Sequence, residues 1–154
     1  MLRLLYNFVF LTKNRTLTIK ALAYSAVARV RVRFLSAQKL YPYMGIQGEE
    51  TSSERLDPEQ RKNASQVADK IKRVAVRTPW ESRCLVQAMV AQRLLLQYDL
   101  PSTLYLGVGR DDAQKMVAHA WLRCGHRYIC GGDGSPYATV TTFAMYPPKT
   151  QINP

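Results

Sequence analysis

Two residues have the type and spacing to do chemistry: Cys84 in TPWESRCLVQAM and His119 in VAHAWL. Cys84 falls at the predicted start of a helix, three residues after Glu81 and four after Trp80. His119 falls inside a predicted strand about 35 residues later. A thiol at a helix start ionises readily, because the unpaired backbone N–H groups and the helix dipole favour an anion there. Arg83 next door adds positive charge. An imidazole on rigid strand backbone can take and return the proton. Each residue also has a plainer role, Cys84 as a small buried apolar side chain and His119 as a packed histidine beside Trp121. As a pair they form the minimum kit of a cysteine hydrolase or acyl transferase.

Such a pair is usually completed by a group that accepts the second imidazole N–H and so orients the ring. Asp133, in Gly131-Gly132-Asp133-Gly134, is the first acid after His119 and follows the next predicted strand. It is the predicted third catalytic residue, although its glycines also spell an ordinary turn. A water, an amide such as Gln87 or Gln92, or a backbone carbonyl are the other candidates.

A metal is not expected. Cys124-Gly125-His126 with Cys130 is not a standard zinc spacing, and a fourth ligand is lacking unless His119 or Cys84 is used. Gly107-Val108-Gly109-Arg110 is not followed by a Lys-Ser/Thr or by a helix, so it is no phosphate loop. No cofactor is expected.

The elements that must position these residues follow from hydrophobic periodicity. Leu2, Leu5, Phe8 and Val9 give a short helical face. Ile19, Leu22, Ala23, Ala26, Val27, Val30, Phe34 and Ala37 recur at three- and four-residue spacing and predict one amphipathic helix from Thr16 to about Leu40 with this face inward. Residues 45–56, rich in Gly, Glu, Ser and Thr, read as a mobile connection. Asp57-Pro58-Glu59-Gln60 opens the next helix as cap, first-turn proline and capping-box partner. Ala64, Val67, Ala68, Ile71 and Val74 are its buried stripe, and Arg77-Thr78-Pro79 ends it. The Cys84 helix runs from near Glu81 to about Tyr98 and is apolar on more than one side, hence central. The period then becomes two over Leu104–Val108, Met116–Arg123, Arg127–Cys130 and Ala138–Phe143, which predicts strands. Helices first and an antiparallel sheet after describe a single α+β domain over 1–154, with a basic helical segment and connection at 1–56 and a core at 57–154.

Composition agrees with a globular chain: 47% hydrophobic and 21% charged residues, with no apolar run long enough to cross a bilayer. Three irregularly spaced cysteines suit a reduced, cytoplasmic setting better than a secreted disulfide framework. The formal charge of +11 is uneven: residues 1–48 hold eight Lys or Arg and no Asp or Glu. That excess points to an anionic partner, an acidic peptide or a membrane surface. Scattered aromatics without a paired strand pattern argue against nucleic acid. The same segment has the composition of an organellar transit peptide, but its residues 16–40 read as working structure.

Helix cysteine, strand histidine and strand-edge acid come in the order used by papain-like enzymes. The words around them are more specific. PWESRCLVQAMVAQRLLLQYDLPSTLYLGVGRD, then MVAHAWLRCG and an Ile129-x-Gly131-Gly132 turn, resemble the lasso-peptide leader peptidases. These are the stand-alone peptidase half of the bacterial lasso maturation protein, within the transglutaminase-like cysteine protease superfamily. The likeness covers about residues 77–144 and is carried by Trp80-x-x-x-Cys84-Leu85, Leu104-x-Leu106-Gly107-Val108 and Ala118-His119-Ala120-Trp121. It implies a papain/transglutaminase-like core, Cys84 as nucleophile and His119 as base and then acid. It further implies removal of the leader from a ribosomally made precursor, with a separate leader-recognition protein and an ATP-dependent cyclase as partners. Acyl transfer or deamidation uses the same residues, and a non-enzymatic basic module is the remaining alternative. Many relatives place an acid about twelve residues after the histidine, where this chain has Gly131. Either the loop shifts Asp133 into place or the enzyme works as a dyad.

Overall fold

The computed structural model describes residues 14–77 and 83–148. The helical face read over Leu2–Val9, the stop at Thr78-Pro79 and the Trp80 and Glu81 positions lie outside the described residues.

The order of elements is helical, then β. Helix α1 is Arg15–Phe34, α2 is Ala37–Leu40, and a 3-10 turn follows at Tyr41–Tyr43. A two-residue strand β1 at Ile46–Gln47 precedes α3 (Pro58–Arg77) and α4 (Cys84–Leu95), the latter extended by a 3-10 turn at Leu96–Tyr98. Strands β2 (Ser102–Arg110), β3 (Met116–Cys124), β4 (Arg127–Cys130) and β5 (Ala138–Met145) complete an antiparallel sheet in the order β1-β5-β2-β3-β4. This is the α+β arrangement that the order of elements predicts. Short β1 is the one strand that the alternation pattern did not reveal.

The start of α3 is a capping box. The Gln60 backbone N–H donates to Asp57 Oδ1 at 2.8 Å, and the Asp57 N–H donates to Gln60 Oε1 at 3.1 Å. Ala64, Val67, Ile71 and Val74 are buried along it as their spacing predicts. Helix α4 is the central one: Val86, Ala88, Met89, Val90, Ala91, Leu94 and Leu95 are all buried. They meet Leu104, Leu122, Cys124 and Phe143 of the sheet in one continuous core.

The first helix differs from its prediction in two ways. It breaks at Leu35 and Ser36, whose backbones are extended (ψ 144° and 159°), before α2 resumes. It is also rotated. Leu17, Thr18, Ala21, Ser25 and Ala28 face inward, while Ile19, Val27, Val30 and Phe34 are exposed. Small side chains on the inward face let α1 approach α4 closely, and close packing gains dispersion contacts that a bulky stripe would hold apart. Lys70 also reaches in from α3 and donates to Thr18 Oγ1 at 2.8 Å, satisfying a buried polar pair.

The segment 45–56, expected as a mobile connection, is instead tied to the sheet. Ile46 and Gln47 pair with Ala144 and Phe143. Thr51 is buried, and its N–H donates to Thr103 Oγ1 at 2.8 Å. Arg123 completes the attachment with five bonds, one for each guanidinium N–H. Its Nε donates to Tyr105 Oη (2.8 Å), its Nη1 to the carbonyls of Ser52 (3.1 Å) and Gly125 (2.7 Å), and its Nη2 to the Thr51 carbonyl (2.9 Å) and Glu50 Oε2 (3.1 Å). Composition alone reads as flexible here because the anchor lies 71 to 73 positions away in sequence, which no local pattern reveals.

Candidate active site

Cys84 is the first residue of α4. The residue before it, Arg83, has extended backbone (φ −68°, ψ 160°), and its carbonyl accepts the first helical bond from the Gln87 N–H at 3.1 Å. The Arg83 side chain carries only donors, so it cannot cap the N–H groups at this helix end, including that of Cys84 itself. The Cys84 thiol is partly exposed.

Alternation along β3 divides its side chains between two faces. Ala120, Leu122 and Cys124 turn to the helices, and His119, Trp121 and Arg123 turn to the other face. His119 lies opposite Gly107 of β2, and Trp121 opposite Tyr105. The rings form a continuous stack: His119 on Tyr137 with centroids 4.4 Å apart, His119 beside Trp121 at 6.1 Å, and Trp121 parallel to Tyr105 at 5.4 Å. Gly107 and Gly134 make room for that stack. A Cβ at either would fall 2.7 Å or 2.3 Å from the Trp121 ring.

The end of β4 meets both candidate residues. Cys130 pairs with Leu122 and packs against the helix-side core. Its thiol is pushed up to about 12, first by burial and then by the charge of Cys84, so Cys84 lies within electrostatic reach of it. The very next residue, Gly131, turns back at φ +80° and offers its carbonyl oxygen to His119 Nε2 at 2.7 Å. A carbonyl oxygen only accepts, so Nε2 carries the proton and Nδ1 holds the lone pair of the neutral ring. The end of β4 thus meets the two candidates separately: Cys130, on the helix side, feels the charge of Cys84, and Gly131 bonds His119 through its carbonyl.

Gly131 also stands where the resemblance leads one to look for an acid. No acid fits this backbone. A Cβ built on Gly131 would lie 2.3 Å from the Ala120 carbonyl oxygen and 2.7 Å from Trp121 Cα. The main chain thus supplies the acceptor that a side chain would supply elsewhere. Asp133 sits apart from that bond. Its carboxyl is exposed, and Oδ1 accepts the Ser135 N–H at 3.0 Å, which holds the acid below its usual range.

The remaining candidates have structural partners. Gln92 is buried and its Nε2 donates to the Met44 carbonyl at 2.9 Å. His126 Nδ1 accepts the Leu56 N–H at 3.3 Å. Cys124 is buried and pushed up to about 11 by burial. Among the described residues no group of three or more His, Cys, Asp and Glu side chains is arranged to hold a metal ion. Tyr137 and Gly131 were not singled out by their types. The twelve-residue spacing from His119 was the one signal that pointed to Gly131.

A family model described as the Transglutaminase-like superfamily matches residues 27–144. The match begins inside α1, so it takes in part of the basic N-terminal segment. Neither a curated protein nor a solved structure gives a significant match.

Proposed function

The chain belongs to the transglutaminase-like superfamily, which includes cysteine peptidases and acyltransferases, and from that premise we propose that it is a cysteine peptidase that removes the leader from a lasso-peptide precursor. The observation that carries the reading is a cysteine at the first position of the central helix, in a chain whose strand histidine is oriented by the Gly131 carbonyl. The words around Cys84 and His119 supply the substrate class.

In this mechanism His119 Nδ1 takes the Cys84 proton and the thiolate attacks the scissile carbonyl carbon. The oxyanion is met by the backbone N–H of Cys84, at a helix end where the dipole favours negative charge. The imidazolium then returns its proton to the leaving amine, and the C–N bond breaks to leave a thioester on Cys84. Water, losing a proton to Nδ1, attacks the thioester and releases the leader acid with the thiol restored. Throughout, the Gly131 carbonyl holds Nε2–H and keeps Nδ1 as the working nitrogen. A neutral carbonyl stabilises the imidazolium less than a carboxylate would, so the arrangement is a dyad with a backbone-oriented base. A separate recognition protein presents the leader, the released core passes to an ATP-dependent cyclase, and the three free thiols suit the cytoplasm.

The test is leader removal from a lasso precursor peptide in the presence of a leader-recognition protein. Cys84→Ala and His119→Ala are expected to fold and to leave the peptide intact by mass spectrometry. Full cleavage by either variant overturns the assignment. An uncut product bearing a new isopeptide bond or a gain of one mass unit would assign acyl transfer or deamidation instead.

A further inference from the structure

Among the described residues, the outward face of α1 carries a run of exposed apolar side chains. Ile19, Ala23, Val27, Val30 and Phe34 follow one another at three- and four-residue spacing on its exposed side. Ile19 is 53%, Val30 56% and Phe34 75% exposed, values that a core stripe never shows. The helix does not need this face for packing, since its inward side is already filled by Leu17, Thr18, Ala21, Ser25 and Ala28. The strip is about 22 Å long at the α-helical rise.

Cations border the strip on both sides. Arg15 and Arg33 flank one edge, Lys20 and Arg31 the other. Arg31 lies over the Tyr43 ring at 3.8 Å, and Lys20 donates to Gln97 Oε1 at 2.7 Å, so both cations are held beside this edge of the strip. No Asp or Glu occurs anywhere in residues 1–48. A convex apolar ridge between two rows of cations matches a flat anionic surface, where the apolar side chains enter the acyl boundary and the cations meet headgroups. Among the described residues no helix is long and apolar enough to cross a membrane, so any such contact lies along the surface.

We propose that α1 docks the protein on an anionic lipid surface, with Ile19, Val27, Val30 and Phe34 entering the interface and the flanking Arg and Lys residues meeting the headgroups. The proposal is independent of the chemistry at Cys84. It places the site on a bilayer face, where a peptide held there would be met in two dimensions.

The test is co-sedimentation of the full chain with vesicles of phosphatidylcholine alone and of phosphatidylcholine containing a quarter phosphatidylglycerol, at low and at physiological salt. Binding is expected only with phosphatidylglycerol, weakening as salt rises. The double variant Val30→Gln, Phe34→Gln is expected to bind about tenfold or more weakly with an unchanged urea midpoint. Equal binding to both vesicle types, or no binding to either, overturns the proposal. So does wild-type binding by the double variant, which would reduce the contact to charge alone. A dimer in sedimentation equilibrium that the double variant dissolves, without vesicle binding, would assign the strip to a second copy. A fall in the variant's urea midpoint would assign it to residues 1–13 of the same chain. Either result also overturns the lipid assignment.

Discussion

His119 donates its Nε2–H to the main-chain carbonyl of Gly131 at 2.7 Å, and Gly131 is the one residue type that the local backbone admits. The orienting acceptor is therefore built into the turn after β4, and its loss should be felt through the backbone. Gly131→Ala must place a Cβ against the Ala120 carbonyl at a φ of +80°. The expected cost is about 2–4 kcal/mol in urea unfolding, with turnover falling as the carbonyl shifts. Asp133→Ala, removing an exposed carboxyl bonded to Ser135, should leave turnover near wild type. A loss of activity in Asp133→Ala like that of His119→Ala would show that the acid, not the carbonyl, governs the imidazole.

The three thiols should separate cleanly by reactivity. Burial pushes Cys124 up to about 11, and burial with the Cys84 charge pushes Cys130 up to about 12. Both stay neutral at pH 8, and Cys124 is buried as well; Cys84 and Cys130 are both partly exposed, but Cys84 stands at a helix start. Brief iodoacetamide treatment of the native protein should give a single adduct on Cys84, and the urea-unfolded chain should give three. Native labelling of Cys130 at the rate of Cys84 would contradict the raised pKa of the Cys130 thiol.

How much of this site was legible in the sequence depends on how local each determinant is. Cys84, His119 and the Asp57–Gln60 capping box were readable because the motif lies within a few residues of the element it specifies. The face of α1 was not. Two stripes on that helix are apolar enough to pack, and close approach to α4 selects Ala21, Ser25 and Ala28 over the bulkier Val27 and Val30. The Gly131 carbonyl was invisible for another reason: backbone acceptors have no residue type. The attachment of residues 45–56 depends on Arg123, and such a distant partner leaves no trace in composition.

The same two thiols, Cys124 and Cys130, make stability fall in alkali. Their folded pKa values lie above the ordinary 9.0, so the native state holds protons that the unfolded chain has released. Their contribution is complete below about pH 9 and is lost as pH rises toward 11 and 12. The urea midpoint should therefore decline above pH 9, and Cys124→Ala with Cys130→Ala should flatten that decline relative to each variant's own value at pH 7. An unchanged slope would locate the alkaline loss in other groups.

Tyr137 acts as a positioning residue for the base. Its ring lies 4.4 Å from that of His119 and is tilted from it by 23°, closing one face of the imidazole against rotation. Tyr137→Ala should lower kcat about tenfold with little change in KM, and should broaden the pH dependence of Cys84 alkylation. Tyr137→Phe keeps the ring and should restore both. Failure of Phe to rescue would assign the effect to the hydroxyl rather than to stacking.

Arg123 should prove the most costly single side chain on the open face of the sheet. Its five bonds join β3 to Tyr105 on β2, to the β3–β4 turn at Gly125 and to Glu50, Thr51 and Ser52 of the preceding segment. Burial opposes its charge, yet the Tyr105 and Glu50 partners raise its pKa and keep it ionised. Removing the guanidinium leaves the Thr51 and Gly125 carbonyls without these donors in a buried setting, at about 1–3 kcal/mol for each such group. Arg123→Leu is therefore expected to lose about 3–5 kcal/mol. Arg123→Lys should recover little of it, because one ammonium cannot reach acceptors spread across a planar fork. The same variants should release residues 48–56 to proteolysis and fast amide exchange while α3 and α4 stay protected. Exchange that rises uniformly across the chain would show instead that Arg123 supports the fold as a whole, not this segment in particular.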